Sequence, residues 1–212
     1  MRRCYVHLPA LDGQHRGYSL RCIQDCDIEP VRVWRNAQMD VLRQSAPITP
    51  AQQRRYFERA IWPQMERAQP DTILLTIEQG GRRIGYGGLV HCAWEDSRAE
   101  ISVLLAPQIA ADQKRYRAAL LAFLAMAGEI GFSRLGLNRL TLETYDIRPF
   151  HIGVLEEAGF RREGRLREHV VIDAKPVDSL LHAALARDQA GKGGRITSCA
   201  TRSILVPAAG AQ

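Results

Sequence analysis

The 212-residue chain predicts a mixed α/β domain, a mostly antiparallel sheet flanked by helices, and three observations carry that prediction. Between Thr72 and Leu105 apolar residues recur with a period of two on either side of a Gln79-Gly80-Gly81-Arg82 turn, the pattern of a β-meander. Between residues 112 and 131 the period becomes helical, with Leu120, Phe123, Leu124 and Ala127 on one face. Strand and helix patterns then interleave to residue 186, giving the order β-α-α-β-β-β-α-β-α-β-β.

Taken in order, Tyr18 to Ile23 reads as the first strand, and a helix follows from Asp27 with Ile28, Val31 and Trp34 on one face. A second helix opens at Thr49-Pro50-Ala51-Gln52. The threonine hydroxyl can accept from a free helix amide, the proline has no N–H to leave unpaired, and the glutamine can reach back to the cap. Tyr56, Phe57, Ala60 and Ile61 form its stripe, and Trp62-Pro63 should end it. The meander strands are Thr72 to Glu78, Arg83 to Val90 and Arg98 to Leu105. After the 112–131 helix come a strand at Arg139 to Tyr145 and a helix at Pro149 to Ala158, which Gly159 closes as a left-handed cap. Strands at Phe160 to Ile172 and Val177 to Ala186 complete the order.

With 46% hydrophobic and 25% charged residues the chain is neither fibrous nor disordered. Its longest apolar run, Ala118 to Ala127, has 10 residues, too few to span a bilayer, and no apolar signal core precedes Asp12. A cytoplasmic location without membrane partners is the expectation. Five scattered cysteines, Cys4, Cys22, Cys26, Cys92 and Cys199, read as free thiols, and the Cys22/Cys26 pair has no second pair to complete a metal site. The net charge of +6 sits mainly in residues 1–17 and 187–212, not on the body, so no nucleic-acid partner is expected. Residues 18–186 form the expected domain, with an N-terminal arm at 1–17 and a flexible, basic, Gly/Ala-rich tail at 187–212.

Three segments carry a family resemblance: Leu155-Glu156-Glu157-Ala158-Gly159-Phe160-Arg161-Arg162-Glu163-Gly164 behind the Leu140 to Thr144 strand, Glu100 to Leu105 ahead of Pro107, and Trp34-Arg35-Asn36. They resemble the GCN5-related N-acetyltransferase (GNAT) family, and the last resembles its ribosomal-protein and amino-sugar branches. The resemblance implies a sheet splayed open to admit acetyl-CoA as co-substrate. It also implies direct acetyl transfer to a primary amine, an amino-sugar or a protein N-terminus, in a possible homodimer.

The same resemblance assigns residues. Backbone groups at Val103, Leu104 and Leu105 meet the thioester and pantetheine. Gln113-Lys114-Arg115-Tyr116-Arg117-Ala118 matches the ends of the family's Q/R-x-x-G-x-G/A loop, with Tyr116 in place of the first glycine and its ring expected to turn outward. A diphosphate there would meet helix amides and the cations of Lys114, Arg115 and Arg117. Arg148 replaces an asparagine of the cofactor site, and Leu155 replaces the usual acidic tyrosine, leaving Tyr145 and His151 as substitutes.

Glu100 is the candidate base, because a mid-strand carboxylate facing away from Ala99, Ile101 and Val103 can take the amine's proton. An ion pair with Arg98 is its structural alternative. Acceptor contacts are expected at Trp34, Arg35, Asn36, Gln38 and Tyr86. His91 and Cys92 are adjacent in a strand and point apart, so they form no nucleophilic pair. His169 and His182 are expected at the surface or satisfied within the sheet. The missing glycine and tyrosine also leave a reading of another class, a catalytically silent GNAT-like module that binds acyl-CoA or a protein.

Overall fold

Eight strands make one sheet in the order β1-β2-β3-β4-β5-β6-β8-β7. They are β1 (Gly13–His15), β2 (Tyr18–Cys22), β3 (Ile73–Gln79), β4 (Arg82–Ala93), β5 (Arg98–Leu105), β6 (Arg139–Tyr145), β7 (Arg161–Ile172) and β8 (Lys175–Leu185). Among the described residues six α-helices accompany them: α1 (Ile28–Asn36), α2 (Pro50–Tyr56), α3 (Pro107–Ala110), α4 (Gln113–Gly128), α5 (Pro149–Glu157) and α6 (Ala186–Ala190). The computed structural model describes residues 2–42 and 44–190. No helix among these residues is long and apolar enough to cross a membrane.

Local chemistry accounts for most of these elements. The β3–β4 turn places Gly80 at φ 56° and Gly81 at φ 73°, the two left-handed positions that a tight hairpin requires. At the start of α2, Thr49 Oγ1 accepts from the Gln52 amide at 3.3 Å and the Thr49 amide donates to Gln52 Oε1 at 2.9 Å, the reciprocal cap expected from the sequence. The helical path does not stop at Trp62-Pro63. It continues through a wide turn at Phe57–Ile61 and a tight one at Trp62–Glu66, because Pro63 falls in a first turn where its missing N–H costs nothing.

Three expectations on extent need correction. Residues 1–17 are no arm: Tyr5 and Leu11 are buried in the core and residues 13–15 add strand β1. The Tyr5 hydroxyl donates to the Thr72 carbonyl and accepts from the Leu74 amide at 2.7 Å, holding the N-terminus to β3. Residues 187–190 of the expected tail belong to α6, with Asp188 3.7 Å from Arg161, and the rest of that tail lies outside the described residues. Helix α3 was not expected, since four residues carry no readable period.

The feature that makes the site is a parting of strands. Every neighbouring pair is antiparallel except β5–β6, which is parallel and joins only Arg98–Arg139, Ala99–Leu140 and Glu100–Thr141. Beyond Glu100, β5 stays paired with β4 to Leu105 and β6 with β8 to Tyr145, so their facing edges separate. Two glycines in β4 tighten the packing beside this gap. A Cβ on Gly87 would lie 2.5 Å from the Ser102 carbonyl and 2.7 Å from the Phe123 ring, and one on Gly88 would lie 1.9 Å from the Ile73 carbonyl. Phe123 packs α4 against one face of the sheet there, whereas Arg35 of α1 reaches Tyr86 on the other.

Candidate active site

A cavity of about 760 Å³ opens where β5 and β6 part, walled by α1, residues 41–42 and 44–48, α2, the strands β3 to β6 and the start of α5. Of the expected catalytic residues, Glu100, Tyr145 and His151 all line it. Glu100 is half-buried at the last position of β5 that pairs with β6. Among the described residues it has no hydrogen-bond or ion-pair partner, because Arg98, the alternative partner, turns to Asp96 at 3.2 Å. Glu143 on β6 faces the same space, with its Oε1 3.5 Å from His169 Nε2.

Behind the α5 wall lies a buried polar cluster. The Tyr116 hydroxyl sits 2.6 Å from His151 Nδ1 and accepts from Arg148 Nη2 at 2.9 Å. A guanidinium can only donate, so the phenol oxygen accepts from Arg148; with the phenol proton directed at Nδ1, the imidazole would carry its own proton on Nε2. Burial pushes the His151 pKa down to about 3, with Arg148 and His182 adding to the shift, so the ring is neutral at physiological pH. Burial raises the Tyr116 pKa, and Arg148 opposes that rise.

Tyr116 therefore does not turn outward as expected. Its ring lies inside, 6.1 Å from the Phe150 ring and 6.0 Å from the His151 ring, because an aromatic side chain this close to α5 gains more from burial than from solvent. The rest of the expected diphosphate loop is also altered. Asp112 caps α4, and its carboxylate accepts from the amides of Lys114 at 2.9 Å and Arg115 at 3.1 Å, two of the groups that an anion at this helix end would use. Arg117 pairs with Glu157. Lys114 and Arg115 are exposed and have no carboxylate partner among the described residues, so their side chains remain free for an anion. Gln113 and Ala118 are exposed, and none of residues 113–118 lines the cavity.

Val103 lines the gap, whereas Leu104 and Leu105 point into the core and the Leu105 carbonyl accepts from Gln38 Nε2 at 2.9 Å. The acceptor-side residues divide likewise. Arg35 and Tyr86 line the cavity and meet each other, Arg35 Nη1 donating to the Tyr86 hydroxyl at 3.1 Å. Trp34 is buried in the core. Asn36 holds the 44–48 segment instead: its side-chain amide donates to the Ile48 carbonyl, and its Oδ1 accepts from the Ile48 amide and from Gln44. One helix turn cannot aim Trp34, Arg35 and Asn36 in the same direction, and only Arg35 falls toward the cavity.

His182, expected at the surface or satisfied in the sheet, is buried, with the Glu156 carboxylate 3.7 Å from Nε2 and no hydrogen-bond partner for either ring nitrogen. Exposed His91 and buried Cys92 do point apart, and burial pushes the Cys92 thiol up to about 12. Sequence reasoning missed Gln44, Gln52 and Tyr56 on the cavity wall. Tyr56 was assigned to an apolar stripe, and the two glutamines carry no pattern that separates a wall residue from a solvated one. Glu143 falls within the expected Arg139 to Tyr145 strand, and its alternation with Leu142 and Thr144 is a usable signal for a residue on the less buried face.

Comparison with known proteins agrees with this architecture. A search of curated proteins finds no match. Among solved structures, spermidine N-acetyltransferase from Vibrio cholerae in complex with CoA and spermine superposes with a TM-score of 0.71 at 18% identity, covering 82% of this chain and 98% of that one. Its dodecameric form in an intermediate state gives 0.70 at 17%, covering 85% and 100%. At this identity the likeness is one of fold, and these are polyamine enzymes, not members of the ribosomal-protein or amino-sugar branches that the sequence suggested. The family model for an acetyltransferase (GNAT) domain matches residues 20–181. This chain belongs to that GNAT family of N-acetyltransferases, whose co-substrate is acetyl-CoA.

Proposed function

We propose that this protein moves the acetyl group of acetyl-CoA directly to a primary amine, with Glu100 as general base. The observation that carries the reading is the half-buried Glu100 carboxylate on the cavity wall, with no partner among the described residues. An ammonium acceptor loses one proton to that carboxylate, its nitrogen attacks the thioester carbon, the C–S bond breaks as the amide forms, and the second proton shed by the nitrogen ends on the departed thiolate. The separated edges of β5 and β6, with Val103 on one side and Tyr145 on the other, suit the acyl and pantetheine arm. The side chains of Lys114 and Arg115 are the groups free to meet the diphosphate. His151, neutral and carrying its proton on Nε2, offers a hydrogen bond to the departing thiolate, whose ordinary pKa of about 8.5 lets it leave without full protonation.

The test is Glu100→Gln, which keeps size but removes proton affinity. It should lower kcat/KM by about 10²- to 10⁴-fold while leaving acetyl-CoA affinity nearly unchanged. The deficit should shrink as pH rises toward the pKa of the amine. A variant as active as the parent at every pH removes Glu100 from the mechanism. Acetyl-CoA binding without turnover on any amine would make this chain a silent member of its family, a reading toward which Asp112 at the end of α4 leans.

A further inference from the structure

We infer that the acceptor carries an anionic group, held by Arg35, several bonds away from the amine that is acetylated; this rests on the transferase reading above. Arg35 projects from α1 into the cavity and is half-buried. Its Nε donates to Gln44 Oε1 and its Nη1 to the Tyr86 hydroxyl, both at 3.1 Å and both neutral partners. Among the described residues no carboxylate lies within 4.0 Å of it, and Nη2 has no partner.

Among the described half-buried arginines Arg35 shares the lack of a carboxylate partner only with Arg148, whereas Arg21, Arg32, Arg134 and Arg139 each meet a carboxylate. A guanidinium cannot shed its charge, so a fixed one without a counter-ion on a cavity wall is a prepared place for a carboxylate or phosphate. Tyr86, buried on β4, and Gln44 hold the fork in place before any ligand arrives.

The sheet register sets the spacing. Tyr86 faces Leu104 across the β4–β5 pair, and Leu104 is four residues from Glu100, about 13 Å along the strand. An α-amino acid, whose amine and carboxylate share one carbon, is too short to reach both ends, whereas a chain of several bonds fits. Arg148 is a second wall guanidinium without a carboxylate partner among the described residues, whereas Glu100 and Glu143 supply carboxylates on the same wall.

Initial rates at saturating acetyl-CoA on aminohexanoate, aminopropyl phosphate, hexylamine and spermidine test the inference. An anionic amine should exceed hexylamine in kcat/KM by about tenfold or more, mainly through KM, and the better of the two names the anion. In Arg35→Gln the ratio of anionic to neutral amine should collapse toward one, and in Arg35→Lys, which keeps charge but loses the fork, it should fall part of the way. Hexanoate, with an anion and no amine, should compete with hexylamine in the parent protein, a check that needs no variant to fold. A preference for spermidine, a ratio unchanged in Arg35→Gln, or no competition by hexanoate overturns the inference while the transferase reading stands. If no amine turns over, that reading fails, and calorimetry decides the site: aminohexanoate binding that is lost in Arg35→Gln upholds it, and no binding to the parent protein overturns it.

Discussion

The Tyr116 hydroxyl and His151 Nδ1, 35 residues apart in the chain, lie 2.6 Å from each other, and this contact ties α4 to the cavity wall. Tyr116 stands where the resemblance places a glycine for the diphosphate, yet here it supports α5 from behind. A position expected to hold cofactor is thus used to hold in place a ring on the cavity wall.

Removing that hydroxyl should be costly without emptying the core. Tyr116→Phe leaves Arg148 and His151 Nδ1 short of a partner and should destabilise the protein by about 1–3 kcal/mol. Tyr116→Gly, which restores the family's residue, also leaves a cavity and weakens α4, and should cost about 3–5 kcal/mol. Urea unfolding of the two variants checks the order. A glycine variant as stable as the parent would mean that the ring contributes nothing to the packing.

His151 makes stability depend on pH in a stated direction. Its pKa is about 3 in the folded protein and near 6.5 in an unfolded chain, so between those values the unfolded state binds the extra proton. Stability is therefore complete above about pH 6.5 and falls as pH drops through that window toward 3. From pH 6.5 to 5 the contribution is about 2 kcal/mol at 1.36 kcal/mol per unit. Unfolding free energies of the parent protein and His151→Phe at the two pH values measure it, and the variant should show the smaller loss.

Asp112 should separate stability from cofactor affinity. Asp112→Ala removes the cap of α4 at a cost of about 1 kcal/mol. The same change frees the Lys114 and Arg115 amides and removes a negative charge beside them, so acetyl-CoA should bind several-fold more tightly. Thermal melting and calorimetry on one preparation test both signs. Affinity that falls together with stability would show that the helix end takes no part in binding.

Trp34 should behave as a core residue and not as an acceptor contact. Trp34→Ala removes a buried indole and should lower stability by about 3–5 kcal/mol. Acceptor KM in the fraction that remains folded should change less than in Arg35→Gln. A selective rise in acceptor KM at parental stability would place the ring in the cavity after all.

The order of elements, the β3–β4 hairpin, the α2 cap and the family were legible in the sequence because each is written in local chemistry: a period, a glycine pair, a threonine with a glutamine three residues on. Glu100 was legible for the same reason, since alternation alone decides which face of a strand a residue takes. The tertiary structure decided what depends on a distant partner. Tyr116 turns inward because α5 stands beside it, Asp112 takes the amides expected for a ligand, and Arg98 leaves Glu100 for Asp96. Arg35 lacks a counter-ion among the described residues because α1 sets it against Tyr86 and Gln44, not against a carboxylate. A side chain's type and spacing fix what it can do, but its burial and its partner are set by segments that meet only when the chain has folded.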